Sequence, residues 1–324
     1  MIKELEISEC ELWDNLVANS SQGTIFHKSC WLNASGMKFR LYGYFRGDEL
    51  FAGIPITYDV SKFGIKKATH PLLTPYLGII FKDTNAKYVT KISEEKGIIR
   101  EFAQTIKENF EAIAISFAPC FIDLQPFIWQ RFSTSIRYTY LIQLDDLNDV
   151  WMSMDSKRRN DIIRAEKDGI YIEMSDDFTQ TFKLVEKTFS RQSKIAIFKD
   201  QAFKYNEILK QKGQCKSFLA KDRDGQAIGV VYIVWDEKRS YYLLGGYDSD
   251  RSHSGASALA VWNAIKFVKK ELHLNSFDFE GSTIQPVELF FRKFGGTLTP
   301  YYSVFWMKPY IKAISYAKKF LKLD

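Results

Sequence analysis

FRGDELFAGIPI (45–56) and KDRDGQAIGVVYI (221–233) read as one device used twice, a charged glycine-containing turn followed by an apolar strand. Gly47-Asp48 in the first and Asp224-Gly225 in the second are the residue pairs that hairpin turns favour. Working outward, the same series of elements surrounds both. In the first half, helical spacing at about 8–19 and 27–36 precedes strands at 38–45 and 49–58. Extended chain follows through PLLTPYLGIIF, then a helix over 92–110 and the strand AIAISF (112–117). In the second half, helices at 176–190 and 200–212 precede QCKSFLAKD, AIGVVYIVW and SYYLLGGY, then a helix over 254–272, the strand SFDF and a short helix near 284–293. Helix–helix–hairpin–strand–helix–strand repeated in order is what a duplicated α/β unit produces. The boundary falls in LDDLND, with Asn148 or Asp149 as the expected helix cap, giving units 1–148 and 149–324 with mixed α+β sheets.

The 324 residues are ample for two cored domains. Hydrophobic residues are 46% and charged residues 26%, which excludes disordered and fibrous classes. No apolar run is long enough to cross a bilayer and the N-terminus has no signal-peptide core, so a soluble, cytoplasmic chain is expected. Cys10, Cys30, Cys120 and Cys215 form no C-x-x-C and read as buried thiols. His27, His70, His253 and His273 show no metal-ligand spacing, so no metal is expected. Charge is lopsided: residues 1–150 hold 16 basic and 18 acidic side chains (−2), residues 151–324 hold 29 and 21 (+8). The second half is therefore suited to an anionic partner.

Four segments carry possible chemistry. In WMSMDSKRRNDIIRAEKDGI (151–170), Trp151, Met154, Ile162 and Ala165 keep helical spacing and Arg158 falls on their apolar stripe, where a charge must snorkel or pair. The run is either a solvated charged helix or a phosphate clamp. In FDFEGSTIQPVELFFRKFGGTLTPYY (277–302), Asp278 and Glu280 alternate with Phe277 and Phe279, so a strand places both carboxylates on one face. They either pair with Arg292 or Lys293 or take a proton from an attacking amine. In LLGGYDSDRSHSGASALAVW (243–262), a polar turn leads to a helix start near Ser254 that would present free N–H groups. Tyr247, just past the strand end, is a candidate proton donor. In WMKPYIKAISYAKKFLKLD (306–324), an apolar stripe opposes five lysines, so the helix packs on its domain or lies on an anionic membrane surface.

The order of elements resembles the acetyltransferase-like (GNAT) fold, a mixed sheet that splays open to admit an acyl donor. Two such units in one chain resemble the FemAB-type aminoacyl transferases of peptidoglycan bridge synthesis. The motif S-K-x-R-x-x-I-x-x-A-x-x-x-G (Ser156 to Gly169) and the closing D-F-x-G…F-F-R-x-F-G-G (Asp278 to Gly296) carry the resemblance, with FHKSCW (26–31) and THPLLTPYLG (69–78) matching loosely in the first unit. It implies two tandem GNAT-like units and an acyltransferase that moves an acetyl or aminoacyl group onto an amine of an anionic, cell-envelope acceptor, small or lipid-linked. It implies Asp278, Glu280 and Tyr247 as catalytic residues. Lys157, Arg159, Ser282 and Arg292 would bind substrate. Arg251, Ser254, Gly255 and Ala256 approximate the pyrophosphate-binding signature, with Ser254 where glycine is usual. Acyl-CoA and aminoacyl-tRNA are both implied donors. The chain departs from the bridge enzymes at Phe290-Phe291, where they carry Phe-Lys; Arg292 lies one position later, about 100° around a helix. Residues alone also admit a non-catalytic RNA- or phospholipid-binding protein using the basic second half.

Overall fold

The computed structural model describes residues 1–191, 195–251 and 253–313. Most of the C-terminal amphipathic stripe lies outside them. Packing divides the chain into two units: Met1–Arg137 with the chain from Pro300 on, and Tyr138–Thr299.

Unit 1 contains β1 (Ile2–Glu4), α1 (Cys10–Ala18), α2 (Ser29–Ala34), β2 (Lys38–Arg46), β3 (Glu49–Val60), β4 (Lys66–Ala68), β5 (Ile80–Phe81), α3 (Tyr88–Asn109), β6 (Ala112–Ser116) and α4 (Gln125–Trp129). Its strands run β1-β2-β3-β4-β6, with β5 beside β3. Leu50 through Thr57 of β3 are buried without a break, the sign of a strand covered on both faces. On α3, Ile98, Ile99, Phe102, Ala103 and Ile106 form the buried stripe. Among the described residues, all strand pairs but one are antiparallel. The exception is β4 with β6, parallel for only Lys67↔Ala112 and Ala68↔Ile113.

After β7 (Ser133–Gln143), unit 2 holds α5 (Leu147–Ser153), α6 (Ser156–Lys167), β8 (Tyr171–Ser175), α7 (Phe178–Arg191), α8 (Lys199–Gln211), β9 (Cys215–Lys221), β10 (Ala227–Trp235), β11 (Ser240–Tyr247), α9 (Ala256–Lys270), β12 (Ser276–Asp278) and α10 (Gln285–Arg292). Its strands run β7-β12-β11-β10-β9-β8, and again one pair, β11 with β12, is parallel. α9 supplies Ala256, Ala258, Leu259, Ala260, Val261, Ala264, Ile265 and Val268 to the core. The mixed α/β class and the repeated element order read from the sequence are both present.

The closing strands explain why chain order and packing divide the molecule differently. In unit 1, β6 is flanked by β13 (Thr297–Met307) through Ser303↔Ser116 to Met307↔Ala112. In unit 2, β12 is flanked by β7 through Ser276↔Gln143 to Asp278↔Leu141. A cut at 148/149 follows the chain; packing assigns the segment from Tyr138 to unit 2 and that from Pro300 to unit 1.

Three local expectations are corrected. The helix read from Trp151 is two helices, because the Asp155 carboxylate accepts from the amides of Lys157 (3.1 Å) and Arg158 (3.3 Å) and starts α6 anew. The cap of α5 is Asp146, not Asn148 or Asp149. Of the four thiols only Cys215 is buried; Cys10 and Cys30 are half-buried and Cys120 is exposed. Asp155→Ala is expected to cost about 1 kcal/mol, lowering the melting temperature by about 2–4 °C. A thermal scan of the variant checks this.

Candidate active site

The parallel pair in unit 2 lasts for two residues, Ser240↔Phe277 and Tyr241↔Asp278. Then β12 stops at Asp278 while β11 runs on to Tyr247, so the sheet loses its ladder on that side of β11. On the opposite side, β11 pairs with β10 as Ile233↔Tyr242 and Tyr232↔Leu244, which leaves Leu243 as the extra residue of a bulge. Bulges re-aim backbone groups and recur beside active sites.

Asp278 is fully buried. Its Oδ1 accepts from the Thr139 hydroxyl (2.6 Å) and from the Glu280 amide (2.8 Å). Glu280 has φ +56°, in the left-handed region that carboxylate residues seldom adopt, and Gly281 follows at +76°. A Cβ on Gly281 would stand 1.9 Å from the Tyr138 carbonyl oxygen, so the bend tolerates nothing larger than glycine. The Oε1 of Glu280 is buried and has no hydrogen-bond partner among the described residues. Burial, with the Asp278 charge second, pushes the Glu280 carboxyl well above the usual carboxylate range. The two acids do not share a strand face in the expected way, because β12 ends at Asp278 and the bend reorients Glu280.

Rings line the other face. Tyr242 meets Phe279 at 5.8 Å and Phe291 at 5.1 Å between centroids, and burial raises its hydroxyl pKa. Tyr140 donates to Glu288 at 2.6 Å, and Arg292 pairs with the same Glu288 at 3.4 Å. Phe291, at the place where bridge enzymes carry lysine, is buried against these rings.

The sequence-derived substrate residues have separate fates. Arg158, the charge on the apolar stripe, is only 6% exposed. Its guanidinium sits over Phe290 and Phe294 at 4.4 and 4.8 Å and donates to the Phe290 carbonyl at 3.3 Å. It joins α6 to α10 by cation–π and hydrogen-bond contact. Lys157 is exposed and Arg159 half-buried, with Nη1 3.3 Å from the Met152 sulfur. Ser282 accepts from the Ile284 amide (3.0 Å), closing the turn before α10. Arg292 is exposed and occupied by Glu288. Tyr247 lies six residues along β11 from the residue paired to Asp278, about 20 Å at strand rise, and its ring lies under the Arg191 guanidinium (4.6 Å). The structure therefore brings Asp278 and Glu280 together and leaves Tyr247 apart from them.

The turn before α9 and the helix's first residue hold Arg251, Ser254, Gly255 and Ala256, the residues expected to face a pyrophosphate. Gly255 is buried, and a Cβ on it would lie 2.0 Å from the Asp161 carbonyl oxygen, so the turn packs tightly under α6. Among the described residues, the cap residue Gly255 makes no side-chain bond to the first turn of α9. However, the Gly255 amide donates to His253 Nδ1 (3.1 Å) and the Ala256 amide to the His253 carbonyl (3.1 Å). Arg251 is exposed and 3.9 Å from Asp222, and Ser254 is exposed. Two amides at the start of α9 are therefore already engaged within the loop.

Sequence reading missed Thr139, Tyr140, Tyr242 and Glu288. Thr139 and Tyr140 sit on a strand not recognised as one, although STSIRYTYLIQ is rich in β-branched and aromatic residues. Tyr242 was overlooked because the bulge at Leu243 breaks the alternation from which faces are read.

The acetyltransferase (GNAT) domain family matches residues 156–284. No curated protein matches the chain. Among solved structures, FemX aligns over 93% of this chain and 96% of its own, at 14% identity and TM-score 0.70. A C-terminal domain (DUF2156) described as that of a lysylphosphatidylglycerol synthetase from Agrobacterium fabrum aligns over 92% of each chain, at 11% identity and TM-score 0.57. A tandem GNAT protein from the clavulanic acid biosynthesis pathway covers 95% of this chain and 98% of its own, at 10% identity and TM-score 0.51. Strand order, the single parallel pair of each unit and these likenesses agree: the chain carries a GNAT acetyltransferase domain at residues 156–284 within a fold shared with FemX and tandem GNAT proteins.

Proposed function

We propose that the chain is an acyltransferase that moves an acyl group from acyl-CoA to an amine on an anionic acceptor. The observation that carries this reading is that β12 stops at Asp278 while β11 runs on to Tyr247, with the buried Oε1 of Glu280, unpartnered among the described residues, just past the stop. An acyl group inserted there would lie between the edge of β11 that β12 has left and the Glu280 carboxyl. The amine nitrogen attacks the carbonyl carbon, a C–N bond forms and the C–S bond breaks. Glu280 gives its proton to the leaving sulfur and recovers one from the nitrogen, a role suited to a carboxyl whose pKa burial, with the Asp278 charge second, raises well above the usual carboxylate range. Lys157 and Arg159 on the exposed side of α6 supply positive charge for the acceptor's phosphate. The +8 charge of residues 151–324 supports the same acceptor class. The likeness to FemX and to a lysylphosphatidylglycerol synthetase domain supports an envelope acceptor, including a lipid-linked one reached from the membrane surface.

One observation favours a second donor. The amides of Gly255 and Ala256 are engaged by His253, which suits an aminoacyl-tRNA whose phosphates are held elsewhere on the basic half. Thermal unfolding with acetyl-CoA, longer acyl-CoAs and aminoacyl-tRNA separates the two. Acyl-CoA at 100 times its dissociation constant is expected to stabilise the chain by about 2.7 kcal/mol, a rise of several degrees. A shift with tRNA alone transfers the donor assignment to aminoacyl-tRNA. Binding of RNA or anionic vesicles without turnover returns the chain to a binding role.

A further inference from the structure

We propose that Asp278 is a positioning residue, which latches Glu280 into the left-handed turn at the end of β12 and does not itself exchange protons with substrate. The inference rests on the acyl-transfer reading and assigns the division of labour within its site. A single oxygen, Oδ1, holds both the Thr139 hydroxyl at 2.6 Å and the Glu280 amide at 2.8 Å. The second bond spans two residues and is an Asx turn, the local geometry by which aspartate stabilises a bend. The first fixes the aspartate to β7, so the bend is referenced to the sheet. Asp278 has no exposed surface. Glu280, by contrast, keeps part of its surface exposed and holds one carboxylate oxygen without a partner.

The surroundings leave Asp278 as the charge that acts on Glu280. From β11, Tyr241 donates to Asp236 and Tyr242 packs among rings. From β7, Tyr138 approaches through its backbone carbonyl and Tyr140 is bonded to Glu288. From α10, Glu288 and Arg292 pair with each other. A buried carboxylate fixed two residues from a second carboxyl disfavours ionisation of that second group. Asp278 therefore does two things for Glu280: it sets the backbone through the Asx turn, and its charge adds to the burial that favours the protonated carboxyl.

The test is carboxyl titration of the whole chain labelled with 13C at glutamate side chains, read without any substrate, beside the pH–rate profile. Asp278→Asn keeps an acceptor for both bonds and removes the charge. Its expected signature is a lower Glu280 midpoint and a transfer profile whose limb moves to lower pH, with turnover falling by less than a hundredfold. Thr139→Val removes one bond and leaves the charge; it should lower turnover by several-fold, and Thr139→Ser should restore it. An unmoved Glu280 midpoint in Asp278→Asn overturns the proposal, as does loss of turnover by a hundredfold or more with the limb in place, the mark of a direct proton acceptor. Failure of the acyl-transfer reading appears differently, as absent turnover in the parent chain with the midpoint shift intact.

Discussion

Glu280→Gln is expected to lower acyl transfer by 10²–10⁴-fold and, at the same time, to make the protein more stable above neutral pH. The first effect is the usual contribution of a positioned acid–base group. The second follows from linkage. Burial and Asp278 raise the folded-state pKa of Glu280 above the ordinary carboxylate value near 4.5. Above that value the unfolded chain releases a proton that the folded chain keeps. The stability associated with Glu280 is thus present at low pH and declines as pH rises toward the folded pKa, by about 1.4 kcal/mol for each pH unit in that interval. Glutamine fills the same volume and does not titrate. Melting curves of parent and variant should therefore draw together near pH 4 and separate as pH rises above the ordinary carboxylate value, with the inactive variant melting higher. Superimposable pH profiles would mean that Glu280 is an ordinary solvated carboxylate, and the site assignment would fall with it. The left-handed φ of Glu280 adds a second instability that Glu280→Gly would relieve. Strain of both kinds is retained where a site needs a group in a particular state.

That combination was only half legible in the sequence. The alternation of Asp278 and Glu280 with Phe277 and Phe279 pointed to the right segment, because periodicity survives in a short strand. Alternation cannot announce that the strand ends at Asp278, since the stop is an aspartate side chain bonding to a backbone amide two residues on. The helices were legible for a simpler reason: α3, α7 and α9 each carry an apolar stripe at helical spacing, over Ile98–Ile106 in α3 and Phe178–Val185 in α7. β7 and β13 were not, for opposite reasons. Exposed positions dominate the first half of β7, from Ser133 to Tyr138, and β13 contains Pro300, which argues against a strand when read alone. Those two strands close the units, so missing them moved the apparent boundary. Arg158 was the clearest success of patterning. A charge on an apolar stripe requires a partner, and Phe290, Phe294 and the Phe290 carbonyl supply it.

Acidification should destabilise the protein through His70, and the reason shows why unit 1 is not a second copy of the active site. In unit 1 the parallel pair β4–β6 also stops after two residues. There the gap is taken up by the His70 imidazole: Nδ1 is 2.9 Å from the Thr74 carbonyl and Nε2 is 3.0 Å from the Ser116 amide of β6. A carbonyl only accepts and an amide only donates, so Nδ1 carries the proton and Nε2 must remain bare. Burial, opposed by the bond to Thr74 and assisted by Arg137, lowers the His70 pKa to about 4. In the unfolded chain histidine titrates near 6.5. As pH falls from 6.5 to 4 the unfolded chain takes up a proton that the folded chain refuses, which removes about 3 kcal/mol of stability over that window. His70→Gln preserves a donor and an acceptor without a titrating ring. Its melting temperature should fall less steeply between pH 6.5 and 4 than that of the parent, whatever the offset at neutral pH. Equal slopes would show that His70 protonates in the folded state without cost, and the closed opening of unit 1 would then depend on something other than a neutral imidazole. With the predicted slope, the same sheet opening has two uses in one chain: in unit 2 a buried acid borders an open edge, and in unit 1 a neutral histidine bridges it.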